Sequence, residues 1–200
     1  MNRRSVPAGS AASSVPALLL ILGIGIAYAL TFRSGHDWGD DFALYIMHAR
    51  NLAEGLPYAQ TGYFYTPFIG PTSYPPMFPL FLWPVYATFG LDFLAFKLLV
   101  LAFFLLGLWI VYLLFRDVAG RTLAFLVVLL VGADSYMWGF KDSVMSDIPF
   151  FAFVYLALWL SYRLRPDRHP GSDRLLLGLA FGLDWKLEGL WAGVIVGLAV

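Results

Sequence analysis

The chain contains no cysteine, which excludes disulfides, thiolate nucleophiles and cysteine-held metal sites. It is also poor in charge. Asp, Glu, Lys and Arg make up 13% of the residues, where a soluble domain carries about 25%. The 13 basic and 13 acidic residues balance, so no footprint for a nucleic acid is present. Apolar side chains fill the space instead: 60% of residues are hydrophobic, 18% are aromatic, and the mean hydropathy is +0.73. One soluble core of this size cannot hide that excess, because a soluble domain must still cover its surface with polar groups. Lipid is the expected solvent, and the seven Trp suit its interfaces.

Hydropathy along the chain gives an all-α, polytopic membrane helix bundle whose outward-facing first loop contains short interfacial helices. Residues 1–14 are Ser/Ala-rich with Arg3 and Arg4, and read as a disordered cytoplasmic tail. Residues 15–32 supply about 18 apolar positions, roughly 27 Å of helix, enough to cross the hydrocarbon. A cleaved signal peptide ending near Ala27-Tyr28-Ala29 is the rival reading of that run. The stretch 33–76 is the longest hydrophilic one, with a helix expected over 41–54, stopped by Gly55 and Pro57. Residues 77–90 are apolar but too short to span and are expected to be broken by Pro79 and Pro84, as an interfacial or re-entrant segment. A second span is expected over about 91–115, a tight connection at Arg116, Asp117 and Arg121, a third span from 123 to 131 or beyond, a polar loop over 132–147 and a fourth span over 148–162. The chain is apolar again from Leu175, interrupted by Asp184, Lys186 and Glu188, as one broken helix or two spans. Residues 189–200 carry no stop signal, so the 200 residues read as the first part of a longer membrane domain, inactive as a piece.

Orientation follows from the basic clusters. Arg3 and Arg4, then Arg116 and Arg121, then Arg163, Arg165, Arg168 and Arg174 all fall on one side if four spans alternate. That side is assigned to the cytoplasm, with a multi-pass topology and the N-terminus inside. The 33–76 and 132–147 loops then face outward together.

Asp37, Asp40 and Asp41 stand just beyond the first span and open the 41–54 helix. A carboxylate shielded by protein and lipid gains proton affinity and can serve as a general base. The competing role is N-capping of that helix by Asp40 or Asp41. Tyr74-Pro75-Pro76 fixes the backbone where the loop returns to the membrane, either as a plain turn or as the wall of a groove for a lipid tail. Ser146-Asp147-Ile148-Pro149 has the grammar of a capped helix start. Lys186 interrupts an apolar stretch, where ionisable side chains are costly and face a cavity or partner; it is either part of a turn or a cation for a lipid-linked phosphate. His36, His48 and His169 share no ligand spacing. No metal is assigned, and a divalent ion held by Asp stays compatible with the composition.

The order of these features closely resembles the GT-C superfamily of membrane glycosyltransferases. The resemblance rests on Asp40-Asp41-Phe42-Ala43-Leu44-Tyr45, Tyr74 to Pro79, Phe89-Gly90, the 146–149 box and the Gly-rich run into Lys186, and covers residues 15–200. It looks most like the branch of protein O-mannosyltransferases, lipid A aminoarabinose transferase and rhizobial lipopolysaccharide core transferases. The resemblance implies transfer of a sugar from a polyprenyl-phosphate donor to an acceptor hydroxyl of a glycan, lipid or protein. It further implies work on the outer face of the membrane with inversion at the sugar carbon. Asp41, partnered by Asp40, would be the base; Tyr74, Pro75, Pro76, Ser146, Asp147 and Lys186 would bind the donor. Ser73 and Tyr74 replace the acidic-basic pair that the aminoarabinose branch carries before its Pro-Pro, which sets that substrate apart. A bacterial inner membrane is the expected home. The alternative function is a polytopic transporter or flippase of a lipid-linked or small substrate.

Overall fold

The computed structural model describes residues 14–36, 41–62 and 74–163. Among them are seven helices and no strand: α1 (Val15–Leu30), α2 (Phe42–Glu54), α3 (Met77–Phe89), α4 (Phe93–Ala119), α5 (Arg121–Gly132), α6 (Ser135–Phe140) and α7 (Asp147–Arg163). The all-α expectation holds. Among the described residues, α4 is the one helix both long and apolar enough to cross a membrane; its 27 residues span roughly 40 Å.

α4 is the axis of the bundle, with α1, α5 and α7 packed around it. Asp92 caps its start by accepting hydrogen bonds from the Leu94 and Ala95 N–H groups, at 2.8 and 3.2 Å. It runs on through Arg116 and Asp117, which were expected in a connection. The turn is therefore reduced to Gly120, whose φ of 91° is open to glycine and strained for other residues. α5 returns beside α1, and the Tyr28 hydroxyl at the end of α1 donates to the Gly132 carbonyl at the end of α5, 3.1 Å away. α5 covers the 123–131 expected for the third span, and its 12 residues are fewer than a full membrane crossing needs. The polar loop after it holds α6, capped by Asp134. α7 then descends parallel to α4, since Asp142 ahead of α7 meets Lys97 near the start of α4, and Arg163 meets Asp117 near its end.

The helices approach closely where side chains vanish. A Cβ on Gly107 of α4 would collide with the ring of Phe151 and lie 3.4 Å from the Ala152 backbone. Close backbone approach through small residues is the usual device for packing helices in lipid. Phe151 is itself wedged against Phe104 and Tyr155, so it has little room to yield. Gly107→Leu is expected to destabilise the α4–α7 contact by about 1–3 kcal/mol, read as a lower melting temperature in detergent; an unchanged melt would mean that α7 slides freely on α4.

α2 and α3 pack on each other, with α3 leaning on α4. α2 stops at Gly55, in the left-handed conformation at φ 68°, where the sequence placed its end. The 77–90 segment differs from expectation: it is one unbroken helix. Pro79 sits in the first turn, where its missing N–H has no partner to lose. Pro84 lies inside the helix, and the Thr88 hydroxyl donates to the Pro84 carbonyl at 2.7 Å.

Candidate functional site

The start of α2, the start of α3 and the start of α7 converge at one end of the bundle. One face of α2 carries Phe42, Tyr45, His48 and Asn51 at three-residue spacing, and all four are buried. Tyr45 is the joint: its hydroxyl lies 3.1 Å from the Ser146 hydroxyl in a buried hydrogen bond. Its ring packs on Tyr74 at 4.9 Å and edge-on to Phe78 at 5.1 Å. The Tyr-Pro-Pro segment and the Ser-Asp-Ile-Pro box, 72 residues apart from Tyr74 to Ser146, thus face each other across one side chain.

Beside that joint runs a narrow groove open to solvent, lined by Tyr45, Pro75, Phe78, Ser146, Pro149 and Phe153, among others. Its walls are aromatic rings and prolines, with Ser146 and the Tyr45 hydroxyl as polar points. Such a lining offers apolar contact with few hydrogen-bonding points.

Asp41 occupies the N-cap position of α2, yet its carboxylate makes no capping hydrogen bond; its backbone carbonyl accepts from the Leu44 and Tyr45 N–H groups at 3.1 and 3.3 Å. Of the two N-capping candidates, Asp41 forms no side-chain cap and Asp40 lies outside the described residues; side-chain caps are found at Asp92 and Asp134. Asp41 and Asp147 are exposed, while Ser146 is buried. The Tyr45 hydroxyl is held above its ordinary acidity, first by burial, then by the negative charges of Asp41 and Asp147, against the lowering effect of the Ser146 hydrogen bond. Two carboxylates from different helices therefore act on one phenol. Tyr74 and Pro75 are half-buried and Pro76 is exposed at the start of α3. Asp40 and Lys186 lie outside the described residues, as do Asp37, Ser73, Asp184, Glu188 and the apolar run beyond Leu175. Among the described residues no group of three His, Asp or Glu could hold a metal ion.

Several residues that build this end of the molecule had no role in the sequence reading. Lys97, on α4, is buried with 1% exposure. Its ammonium donates to the Arg33 carbonyl at 2.7 Å and to Asp142 at 3.1 Å. Asp142 also pairs with Lys141 and accepts from the Arg33 N–H at 2.8 Å. The end of α1, the start of α4 and the segment leading to Ser146 are thereby tied to one carboxylate. His36 works nearby: its Nε2 accepts from the Val144 N–H at 2.7 Å and its ring stacks on Phe42 at 3.6 Å. The signal for Lys97 was there to read, since a lone cation in an apolar run must find a partner. Nothing in sequence spacing names Asp142 as that partner.

The opposite end of α4 is basic. Asp117 collects Arg116 and Arg163, each at 2.9 Å, with the Trp159 indole N–H at 3.3 Å.

The family model for dolichyl-phosphate-mannose-protein mannosyltransferase matches residues 73–199, well over half of the chain. The matched stretch takes in Tyr74, Pro75, Pro76, Ser146, Asp147 and Lys186, and begins after Asp40 and Asp41. No curated protein and no solved structure matches the chain.

Proposed function

This chain belongs to the dolichyl-phosphate-mannose-protein mannosyltransferase family, membrane glycosyltransferases of the GT-C type, and from that premise we propose that it moves a sugar from a polyprenyl-phosphate donor to an acceptor hydroxyl on the outer face of a bacterial inner membrane, with inversion. Asp41, with Asp40 beside it, takes the proton of the acceptor hydroxyl. The acceptor oxygen forms its bond to the anomeric carbon from the face opposite the phosphate. The bond from that carbon to the phosphate oxygen breaks, and polyprenyl phosphate leaves carrying the electron pair. A cation such as Lys186 would steady the departing charge. The acceptor is a glycan, a lipid or a protein, as in the branch of O-mannosyl, aminoarabinose and lipopolysaccharide core transferases.

One observation carries the reading: the hydrogen bond between Tyr45 and Ser146 closes an apolar groove against the Tyr-Pro-Pro segment, within reach of the Asp41 and Asp147 charges. An isoprenoid tail in the groove would bring its phosphate to the polar end of the bundle. The transporter alternative draws no support from the buried charges: Lys97 and Asp142 neutralise each other at the loop end of α4 rather than flanking a broken helix at mid-span.

The test is transfer from a labelled polyprenyl-phosphate sugar by the full-length protein in proteoliposomes. Met77, which lines the groove, gives the matching variant. Met77→Trp is expected to raise the donor KM about tenfold, equivalent to roughly 1.4 kcal/mol, with kcat little changed. Absence of transfer by the wild type, or an unaltered donor KM in Met77→Trp, would sink the reading or the groove assignment respectively.

A further inference from the structure

His48 is buried in α2 and both its ring nitrogens are engaged. The Tyr74 N–H can only donate, and it does so to Nε2 at 3.1 Å. Nε2 is therefore unprotonated, and the neutral ring carries its proton on Nδ1, which donates to the Tyr58 carbonyl at 2.8 Å. The Tyr58 ring stacks flat on the imidazole at 4.1 Å, and its hydroxyl donates to the Tyr74 carbonyl at 2.7 Å. One turn on, Asn51 donates to the carbonyls of Pro57, Tyr58 and Gln60. His48 and Asn51 thus sew the 57–60 turn and the start of 74–76 onto α2, three and six residues beyond Tyr45.

We propose that neutral His48 is a positioning residue, fixing the 74–76 wall of the groove to α2 and thereby setting how tightly the polyprenyl-phosphate donor is gripped. The proposal rests on the function proposed above. The geometry makes the grip sensitive to acid. A second proton would have to sit on Nε2, where it would face the Tyr74 N–H donor to donor, so protonation breaks the link between helix and wall. Among the described residues, the titratable groups on the elements packed around the ring are Tyr45 on α2, Tyr58 and Tyr74 from the two fastened segments, and Arg50, Glu54 and Tyr86, which bond one another farther along α2 and α3. Both ring nitrogens bond backbone groups, so no carboxylate supports the imidazolium through them. Burial holds His48 below the ordinary imidazole value of 6.5, against the opposing effect of the Tyr58 carbonyl. The link is accordingly complete above pH 6.5 and is lost as pH falls below it, because between the two values only the released ring takes up a proton.

Two readouts separate the link from the transfer. Hydrogen exchange at the Tyr74 amide reports the link without any turnover. It is expected to speed up about tenfold in His48→Ala, the equivalent of one lost hydrogen bond, and to stay slow in His48→Gln, whose amide can donate and accept at once but does not titrate. In the transfer assay, His48→Ala is expected to raise the donor KM about tenfold with kcat within about threefold. The wild-type KM should climb below pH 6.5, and His48→Gln should restore the neutral-pH KM and remove that climb. Equal Tyr74 exchange in all three proteins overturns the link. An unchanged KM in His48→Ala, or the same acid rise in His48→Gln as in the wild type, overturns the positioning role. Loss of Tyr74 protection in His48→Ala, together with a wild type that transfers no sugar, overturns the transferase reading and the positioning role while leaving the link itself in place.

Discussion

Replacing Asp41 by Asn is expected to lower kcat for sugar transfer by about 10²- to 10⁴-fold, the usual contribution of a positioned general base. The substitution suits the site because it removes only the charge. Asp41 is exposed and its carboxylate makes no capping hydrogen bond on α2, so Asn costs the helix no side-chain bond. It forfeits only the favourable placement of a negative charge at a helix N-terminus, about 0.3–1 kcal/mol, too little to unfold α2 while Tyr45, His48 and Asn51 hold it in place. Expression and donor KM should therefore stay near wild type while kcat falls. Tyr45 provides an internal check, since the Asp41 charge helps to hold its hydroxyl above its ordinary acidity; Asp41→Asn should make the phenol easier to ionise. Asp40→Asn is the companion. A large fall in kcat for one variant alone identifies the base, whereas unchanged turnover in both removes the acidic pair from the mechanism.

The parts of this architecture legible in the sequence are those that local physics decides. Gly55 ends α2 because a left-handed residue must follow it, and apolar runs marked α1, α4 and α7 to within a few residues. Prolines misled: Pro79 and Pro84 read as breaks, but a first-turn proline costs a helix little, and packing of the α3 face carried by Phe78 and Leu82 offsets the hydrogen bond missing at Pro84. Capping stays open in the sequence. Among the described residues aspartates stand at three helix N-caps, and of these Asp92 and Asp134 accept the N–H groups there; side-chain rotation, invisible in a sequence, decides which. The candidate site divides along the same line. Pro75 and Ser146 belong to separate motifs in the sequence, and both line one groove in the structure, with Tyr74 packed on Tyr45 beside it. Their meeting depends on Tyr45, and on Lys97, Asp142 and His48 at separations that no local pattern encodes.

Removing the Asp142 carboxylate is expected to be the most destabilising single change at this end of the bundle. Asp142 is 4% exposed and Lys97 1%, and a buried cation stripped of its partner typically costs 3–5 kcal/mol. The two sides of the pair are not equivalent. In Lys97→Met the carboxylate keeps Lys141 and the Arg33 N–H, and the Met side chain fills much of the lysine's volume. In Asp142→Leu, Lys97 keeps the Arg33 carbonyl and the Phe32 ring, and confronts Lys141 with no anion between them among the described residues. Asp142→Leu should therefore lower the melting temperature in detergent by roughly 10 °C, Lys97→Met by clearly less, and the double variant should recover part of the loss, since a hydrophobic replacement of both partners removes the unpaired charge. The pH dependence follows the same logic. Burial by itself would raise the Asp142 pKa, but hydrogen bonds from Lys141, the Arg33 N–H and Lys97, with the Lys97 charge, outweigh it and hold the carboxyl below its ordinary 3.8. A depressed carboxyl stabilises the fold at pH values above the unfolded value and loses that contribution as pH falls through the folded one, so the wild type should lose stability below about pH 4 more steeply than Asp142→Leu. Because the same carboxylate secures the segment that leads to Ser146, its loss should also weaken the groove before the bundle melts, seen as a raised donor KM at temperatures where α4 and α7 remain folded. A variant that melts like the wild type and binds donor as tightly would mean that His36, through the Val144 N–H, is enough to hold that segment in place.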